Sequence, residues 1–172
     1  MAHETPLGAI TKGAVAGIVG TLAMDLLWYA RYRRSGGDQS FIEWDLASGT
    51  EGYEDASAPA QVGRRVVEGL FQVELDPRTA RPMTNVVHWA TGAGWGTAHG
   101  IFHGSMATQS SLGGLATGAV AWGTSYATLA PIGLYKPIWE YDAGTLWKDL
   151  SAHLVFGLTT GIVFKLLSSS SD

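Results

Sequence analysis

The fold is decided by residues 84–104, which read TNVVHWATGAGWGTAHGIFHG. A glycine recurs there at every fourth position, at Gly92, Gly96, Gly100 and Gly104. The stretch also carries three of the chain's five histidines, which are His88, His99 and His103. On a helix with about 100° per residue, these histidines fall within roughly 60° of one another. Small residues four apart let a second helix backbone approach closely, which is how helices pack in lipid. The pattern therefore predicts the inner helix of a small membrane bundle.

The composition favours a single membrane domain over residues 1–172. Charged residues make up 15% of the chain, against about 25% in typical soluble domains. Most of the carboxylates fall in residues 35–82, between long stretches that are almost free of charge. The absence of cysteine excludes disulfides and thiolate metal ligands. A net charge of −4 offers no basic face to nucleic acid. We therefore expect the lipid bilayer as partner and no nucleic acid.

The same apolar, glycine-rich character predicts an all-α, four-helix transmembrane bundle, with spans at about residues 12–31, 84–104, 112–135 and 145–167. Pro131 predicts a kink near the end of the third span. Glycine-zipper packing is expected at Gly13, Gly17, Gly92, Gly96, Gly100, Gly157 and Gly161. Such glycines also allow self-association, for instance as a homodimer. A soluble, loop-rich fold is the alternative, because the second span is only weakly hydrophobic.

The polar loop over residues 35–82 is too long to be without structure. Ser40 and Glu43 have the spacing of a capping box, which predicts a short helix. Residues 59–73 predict an amphipathic helix on the membrane surface or on the end of the bundle. Its apolar stripe consists of Val62, Val66, Val67, Leu70 and Phe71. Asp76-Pro77 and Arg81-Pro82 are expected to turn the chain into the second span.

The basic residues predict the orientation. Two of them, Lys12 and Lys165, would lie on one side of the membrane and the other nine on the opposite side. Cytoplasmic loops carry the excess of Lys and Arg, so we expect a bacterial inner-membrane protein with a cytoplasmic amphipathic helix and both termini outside. A reporter after Asp172 should then report the outside, and one near Gly49 the cytoplasm.

Four ionisable residues form a candidate proton-responsive cluster at the cytoplasmic end of the bundle, namely Asp25, His88, Asp149 and His153. Asp25 and His153 are expected to meet where the first and fourth spans touch. Histidine titrates nearest to neutral pH, and a neighbouring carboxylate favours its charged form, while burial opposes it. Ionisable groups inside a membrane are costly, so they invite a functional hypothesis.

Other interpretations of these residues stay open. His99 and His103 could chelate a metal ion at i, i+4, as could Asp149 with His153. Two histidines from different spans could also ligate haem, although nothing in the sequence requires a cofactor. Alternatively, the polar groups only clamp helices together in a structural or assembly subunit. We expect no enzyme, because the sequence has no nucleophile elbow, phosphate loop or metalloprotease motif.

Three short segments give the chain a family resemblance over roughly residues 85–165. They are Asn85 with His88-Trp89, the run APIGL at 130–134, and the run AHLVFG at 152–157. In these segments the chain resembles the YagU-like bacterial inner-membrane proteins. The resemblance implies a small multi-span protein without an established reaction, in a family associated with acid tolerance. The expected function is thus a proton response linked to acid tolerance, or permeation of small solutes or ions.

Overall fold

The computed structural model describes residues 5–47, 50–105 and 112–169. Six α-helices occur in these residues: α1 Pro6–Arg34, α2 Phe41–Ala47, α3 Ala58–Phe71, α4 Ala80–Gly104, α5 Gly113–Leu129 and α6 Ala143–Ser169. Short 3-10 turns precede α4 and α6, at Pro77–Thr79 and Ile138–Glu140. The described residues contain no strand, so the all-helical fold class is confirmed. The two reporter positions, Gly49 and Asp172, lie outside the described residues.

The first helix begins earlier than the predicted start of the first span at residue 12. Thr5 caps it, because its hydroxyl accepts a hydrogen bond from the Gly8 amide at 3.1 Å. Pro6 follows at the first helical position, where its missing N–H removes no bond and its ring fixes a helical φ. Three arginines in the last turn stabilise the negative end of the helix dipole. Gly36, with a φ of 97°, then turns the chain away.

The expectation that Arg81 and Pro82 turn the chain is wrong, because both residues lie in the first turn of α4. The first four amides of a helix have no carbonyl partner, so a proline there breaks no hydrogen bond. The Arg81 side chain instead donates to the Thr50 carbonyl at 2.8 Å and fastens the preceding loop.

The predicted extent of the third span, residues 112–135, is also wrong, because α5 ends at Leu129. Pro131 ends the helix instead of kinking it. Gly133 adopts a φ of 72° and donates its amide to the Ala130 carbonyl at 3.0 Å, which closes a turn. The chain then returns to α6, which Asp142 caps by accepting from the Thr145 amide at 2.9 Å.

The long helices pack in the order α4, α1, α6, α5, and α3 packs on α4. The central helices are therefore α1 and α6, and the expectation that residues 84–104 form the innermost helix is wrong. Helix α1 can hold this place because it carries small residues on two faces. Gly13 and Gly17 face α4, whereas Gly20 faces Phe156 and Thr160 of α6. Arg31 adds a polar tie by donating to the Lys148 carbonyl and the Ser151 hydroxyl, both at 2.7 Å.

Glycines occupy the closest points of two helix contacts. A Cβ atom at Gly13, Gly17 or Gly96 would collide with backbone atoms of the facing helix. The same holds at the contact of α5 with α6, for Gly118 and Gly157. All seven glycines predicted to be packing positions lie at these two contacts: Gly13, Gly17, Gly92, Gly96, Gly100, Gly157 and Gly161. Side chains larger than hydrogen are therefore excluded at Gly13, Gly17, Gly96, Gly100 and Gly157, where backbone of the facing helix lies closest.

The amphipathic helix is present as α3, close to the predicted residues 59–73. It packs on α4 through its small residues, Ala60 and Gly63, and Gly63 lies against Met83. The predicted apolar stripe is largely outside that contact, because Val66, Leu70 and Phe71 are exposed. Thus α3 is attached to the bundle by its small face and leaves large apolar side chains on its surface.

Two helices, α1 and α6, are long and apolar enough to cross a membrane by their length and composition. Their large side chains point mostly outward, while the buried positions hold small or polar residues such as Ala16, Thr21 and Thr160. The few larger buried side chains, among them Met24 and Phe156, pack where α1 meets α6. The interior is therefore built mainly by close backbone approach.

Candidate functional site

Asp25 of α1 and His88 of α4 form the first acid–histidine pair. Asp25 continues the row of Gly13, Gly17 and Thr21 at steps of four, so it faces α4. It is buried, with an exposed fraction of 6%. His88 Nε2 lies 2.9 Å from Asp25 Oδ1 across the helix contact. The pair thus joins two helices that also touch through glycines.

The second carboxylate oxygen of Asp25 is not satisfied. Oδ2 is buried and has no hydrogen-bond partner in the part of the chain that the structure describes. A buried polar atom without a partner costs about 1–3 kcal/mol, and more when the group is charged. The α1–α4 contact therefore contains a buried carboxylate that is only partly satisfied by the described residues.

Asp45 of α2 lies near this pair and was not anticipated from the sequence. Rings of Tyr29 and Trp44, with centroids 5.6 Å apart, hold α2 against the end of α1. Burial raises the pKa of Asp45, and the charge of Asp25 raises it further, while His88 partly offsets the rise. The capping box that starts α2 is confirmed by Ser40, whose amide donates to Glu43 at 2.9 Å. The capping box could have indicated the position of Asp45 from the sequence, since it fixes the start of the helix that carries this residue.

The second acid–histidine pair, Asp149 and His153, lies within α6. His153 Nδ1 is 3.0 Å from the Asp149 carbonyl oxygen and 3.4 Å from its Oδ1. From α5, the Tyr126 hydroxyl donates to Asp149 Oδ2 at 3.0 Å, and the Trp122 indole is buried beside the same carboxylate. Each oxygen of the Asp149 carboxylate therefore has a neighbour, whereas in Asp25 only Oδ1 has one among the described residues.

Tyr126 of α5 was not anticipated from the sequence, because a tyrosine in a membrane protein is usually placed at the membrane interface. It is buried, and its ring packs on Trp122, Tyr135 and Tyr141 at centroid distances of 5.2–5.4 Å. The feature of the sequence that could have indicated its burial is its position within residues 112–135, which contain no charged side chain. Its hydroxyl needs a partner when buried.

The four residues predicted to form one cluster are thus divided between two contacts. The expected meeting of Asp25 with His153 is wrong, because Asp25 pairs with His88 and His153 pairs with Asp149. The face of α1 that meets α6 carries Gly20 and Met24 instead. Four positions separate Gly20 from Met24, so this row and the Asp25 row run side by side on different faces.

His99 and His103 stack at the other end of α4, with ring centroids 4.2 Å apart. His99 is buried, with an exposed fraction of 3%, and its Nδ1 lies 2.8 Å from the Thr117 hydroxyl of α5. Within the described residues, no group of three His, Cys, Asp or Glu side chains could hold a metal ion. His99 thus makes a polar contact between α4 and α5.

Comparison with known proteins adds no relative. No family model, no curated protein and no solved structure matches the chain. The resemblance to the YagU-like proteins therefore stays a prediction from three short segments.

Proposed function

We propose that α1, α4, α5 and α6 form a four-helix transmembrane bundle held by a glycine zipper. The distribution of side chains supports this. The buried positions include Thr21, Asp25 and Thr160, whereas α1 exposes a long series of aliphatic residues: Leu7, Ile10, Val15, Ile18, Val19, Leu22 and Leu26. A soluble protein seldom exposes an apolar patch of this extent. Acyl chains would cover it at no cost.

The proposed location is a bacterial inner membrane with both termini outside the cytoplasm. The C-terminal end of α1 and the N-terminal ends of α4 and α6 lie on one side, because Arg31 contacts Lys148 and Asp25 contacts His88. The arginines at the end of α1 and those of the loop share that side. By the positive-inside rule this side is cytoplasmic.

Within this bundle, we propose that Asp25 and His88 form a proton-responsive element linked to acid tolerance. The observation that carries the proposal is the buried Oδ2 of Asp25, which has no partner among the described residues, in a carboxylate whose Oδ1 lies 2.9 Å from the His88 imidazole. Protons can reach the pair through His88, because its side chain is 31% exposed, whereas the Asp25 side chain is only 8% exposed. A change of charge on either group alters the force between α1 and α4. Movement at that contact would couple cytoplasmic pH to protein activity, including permeation of small ions or solutes.

The second pair supports a different role, that of a structural clamp. The Asp149 carboxylate accepts a hydrogen bond from Tyr126 of the neighbouring helix, and its Oδ1 lies 3.4 Å from His153 Nδ1 of its own helix. With both oxygens engaged, this carboxylate ties α5 to α6.

The test is the recovery of cytoplasmic pH after an acid step, followed with a pH-sensitive fluorescent protein. Asp25→Asn keeps the shape of the side chain and a hydrogen-bonding atom but removes the charge. We expect Asp25→Asn and His88→Gln to abolish the contribution of the protein. His153→Gln is the matched control, which should recover like the wild type at equal membrane abundance. Wild-type recovery by Asp25→Asn would leave only a clamp role for the first pair.

A further inference from the structure

Helix α2 lies at the cytoplasmic end of the α1–α4 contact. It packs against both α1 and α4. Its aromatic residues Phe41 and Trp44 lie on Tyr29 of α1, with ring centroids 5.4 and 5.6 Å away. Tyr29 follows Asp25 by four positions, so it lies on the same face of α1, about 6 Å nearer to the cytoplasm. Helix α2 is therefore seated about one helical turn outside the Asp25–His88 pair.

Asp45 lies on the face of α2 that meets the bundle. Phe41, Trp44 and Asp45 are half-buried, and their spacing of three and four positions places them on one side of the helix. The other side of the helix is exposed and carries Ile42, Glu43 and Leu46. Because Phe41 and Trp44 contact α1, the carboxyl group of Asp45 lies on the side of α2 that is nearest to the pair.

The charges of the Asp25–His88 pair act on Asp45. Burial raises the pKa of Asp45, the negative charge of Asp25 raises it further, and the positive charge of His88 lowers it. A raised pKa lets a carboxyl group hold a proton closer to neutral pH than an exposed aspartate does. Asp45 can therefore bind a proton from a mildly acidified cytoplasm.

The other ionisable groups beside α2 are engaged by neighbouring atoms. They are Tyr29 and Tyr32, bonded to Gln39; Arg33, bonded to the Asp38 carbonyl; Glu43, bonded to Ser40; and Arg81, bonded to the Thr50 carbonyl. Asp25 and His88 are the charged groups that shift the pKa of Asp45. Asp45 is thus coupled to the pair more strongly than to the other charges around it.

His88 uses one ring nitrogen for Asp25 and leaves the other for an incoming proton. Its Nε2 lies 2.9 Å from Asp25 Oδ1, so in the neutral imidazole Nε2 carries the hydrogen and donates it to the carboxylate. Nδ1 then carries the lone pair and has no hydrogen-bond partner in the part of the chain that the structure describes. A proton that arrives from the cytoplasmic side therefore binds at Nδ1.

We propose that Asp45 collects protons from the cytoplasm and relays them to Nδ1 of His88. In this step the O–H bond of protonated Asp45 breaks and an N–H bond forms at Nδ1. One bridging water carries the proton, because no hydrogen bond joins Asp45 to His88 directly among the described residues. Asp45 becomes a carboxylate again, and the new imidazolium interacts with two carboxylates instead of one. This relay rests on the proposed proton response and adds the residue through which protons enter.

Recovery of cytoplasmic pH after a series of graded acid steps tests the relay. Asp45→Asn keeps the shape of the side chain but cannot carry a proton. We expect it to slow recovery about threefold and to move the midpoint of the pH profile about half a pH unit lower. Asp45→Glu restores the carboxyl group and should recover like the wild type. Asp38→Asn is the matched control, since it removes an exposed carboxylate just before α2 and should change neither quantity.

The coupling of Asp45 to the pair is measured without any activity. Carboxyl ¹³C NMR of the detergent-purified protein gives the pKa of Asp45. Asp25→Asn removes the charge that raises this pKa, so the value should fall by about half a unit. His88→Gln removes the charge that lowers it, so the value should rise. Asp149→Asn is the control, because its carboxylate lies at the α5–α6 contact and should leave the pKa of Asp45 unchanged.

The possible outcomes separate the relay from the proposed function. Wild-type recovery by Asp25→Asn contradicts the proposed function and the relay with it. Loss of recovery in Asp25→Asn, together with a wild-type pH profile in Asp45→Asn, leaves the proton response intact and overturns the relay alone. A pKa of Asp45 that is the same in the wild type, Asp25→Asn and His88→Gln overturns the relay as well, since the three groups are then not coupled.

Discussion

The α1–α4 contact and the α5–α6 contact are built from the same parts but differ in how these are distributed. In each, glycines bring two backbones together, and an aspartate and a histidine follow toward the same end of the bundle. In the first contact the acid and the histidine come from different helices. In the second both come from α6, and Tyr126 supplies the link across.

This difference decides whether the carboxylate is satisfied. In α6 the histidine lies four residues after the aspartate on the same helix, next to Oδ1 of Asp149. Oδ2 of Asp149 is then free to accept a hydrogen bond from the neighbouring helix, and Tyr126 donates it. In the first contact His88 of α4 binds Oδ1 of Asp25, and Oδ2 of Asp25 has no hydrogen-bond partner among the described residues. The comparison teaches that similar sequence elements can yield a contact in which both carboxylate oxygens have neighbours or one in which an oxygen is left without a partner.

The largest effect should come from the glycines. We expect Gly96→Leu and Gly118→Leu each to cost about 3 kcal/mol or more, because the new side chain meets backbone of the facing helix. Gly94→Leu, which meets nothing within 4 Å, should cost little. Thermal unfolding in detergent measures all three. Equal stability of the Gly96 and Gly94 variants would argue against the zipper, and a tolerated Gly118→Leu would mean that the two contacts are not equivalent.

Charge removal should separate the two aspartates. Asp149→Asn weakens two charge-assisted contacts and should lower the unfolding free energy by about 2 kcal/mol. Asp25→Asn should cost about 1 kcal/mol or less, because it weakens only the contact with His88, and the other oxygen, Oδ2, has no partner to lose among the described residues. Thermal unfolding of both variants at the same pH gives the comparison. The reverse order of stability would contradict the distinction between a clamp and a chargeable site.

Tyr126→Phe should make the second contact resemble the first, because it frees Oδ2 of Asp149. We expect a loss of about 1 kcal/mol. A double-mutant cycle with Asp149→Asn isolates the Tyr126–Asp149 contact, and the coupling should also be about 1 kcal/mol. Strictly additive losses would show that the hydroxyl stabilises the protein without this carboxylate.

The smallest effect should be that of Asp45, which lies beside the first pair only. Its pKa is raised by burial and by Asp25, so the ionised form destabilises the folded state. This penalty is present at neutral pH and disappears as the pH falls through the raised value toward the ordinary 3.8. Asp45→Asn should therefore be slightly more stable than the wild type at neutral pH, with the difference shrinking on acidification.

Hydrogen exchange of the α2 amides, at neutral pH and in acid, measures the effect of Asp45→Asn. Asp38→Asn is the control, since Asp38 is exposed on the turn before α2 and should not change the exchange. A difference that grows on acidification would reverse the assigned sign.

The sequence was sufficient for the helices and for which glycines face a neighbour. Helical periodicity acts within one segment, so it placed Gly96 at a contact and Gly94 away from it. The same periodicity put Asp25 on a buried face, and Asp25 is buried. The local capping pattern of Ser40 and Glu43 likewise located α2.

Helical periodicity could not predict which helix packs against each of these buried faces. Helix α1 has two neighbouring buried rows, one ending at Met24 and one at Asp25, and nothing local states which row meets α6. The assignment of His153 to Asp25 failed for this reason. The end of α5 was placed too late for a different reason. A proline such as Pro131 can either kink a helix or end it, and here the helix ends because Gly133 adopts a positive φ and the chain turns.

The order of the helices also has a consequence for biosynthesis. In the proposed bundle, α1 is made first but meets its partners late, since His88 follows Asp25 by 63 residues and Lys148 follows Arg31 by 117. At about 5–20 residues per second, translation needs roughly 3–13 s to reach His88. During that interval Asp25 would have no partner from its own chain. Tyr126 and Asp149 are only 23 residues apart, so the C-terminal hairpin can close as soon as it emerges, whereas the N-terminal helix depends on the insertion machinery to shelter its carboxylate.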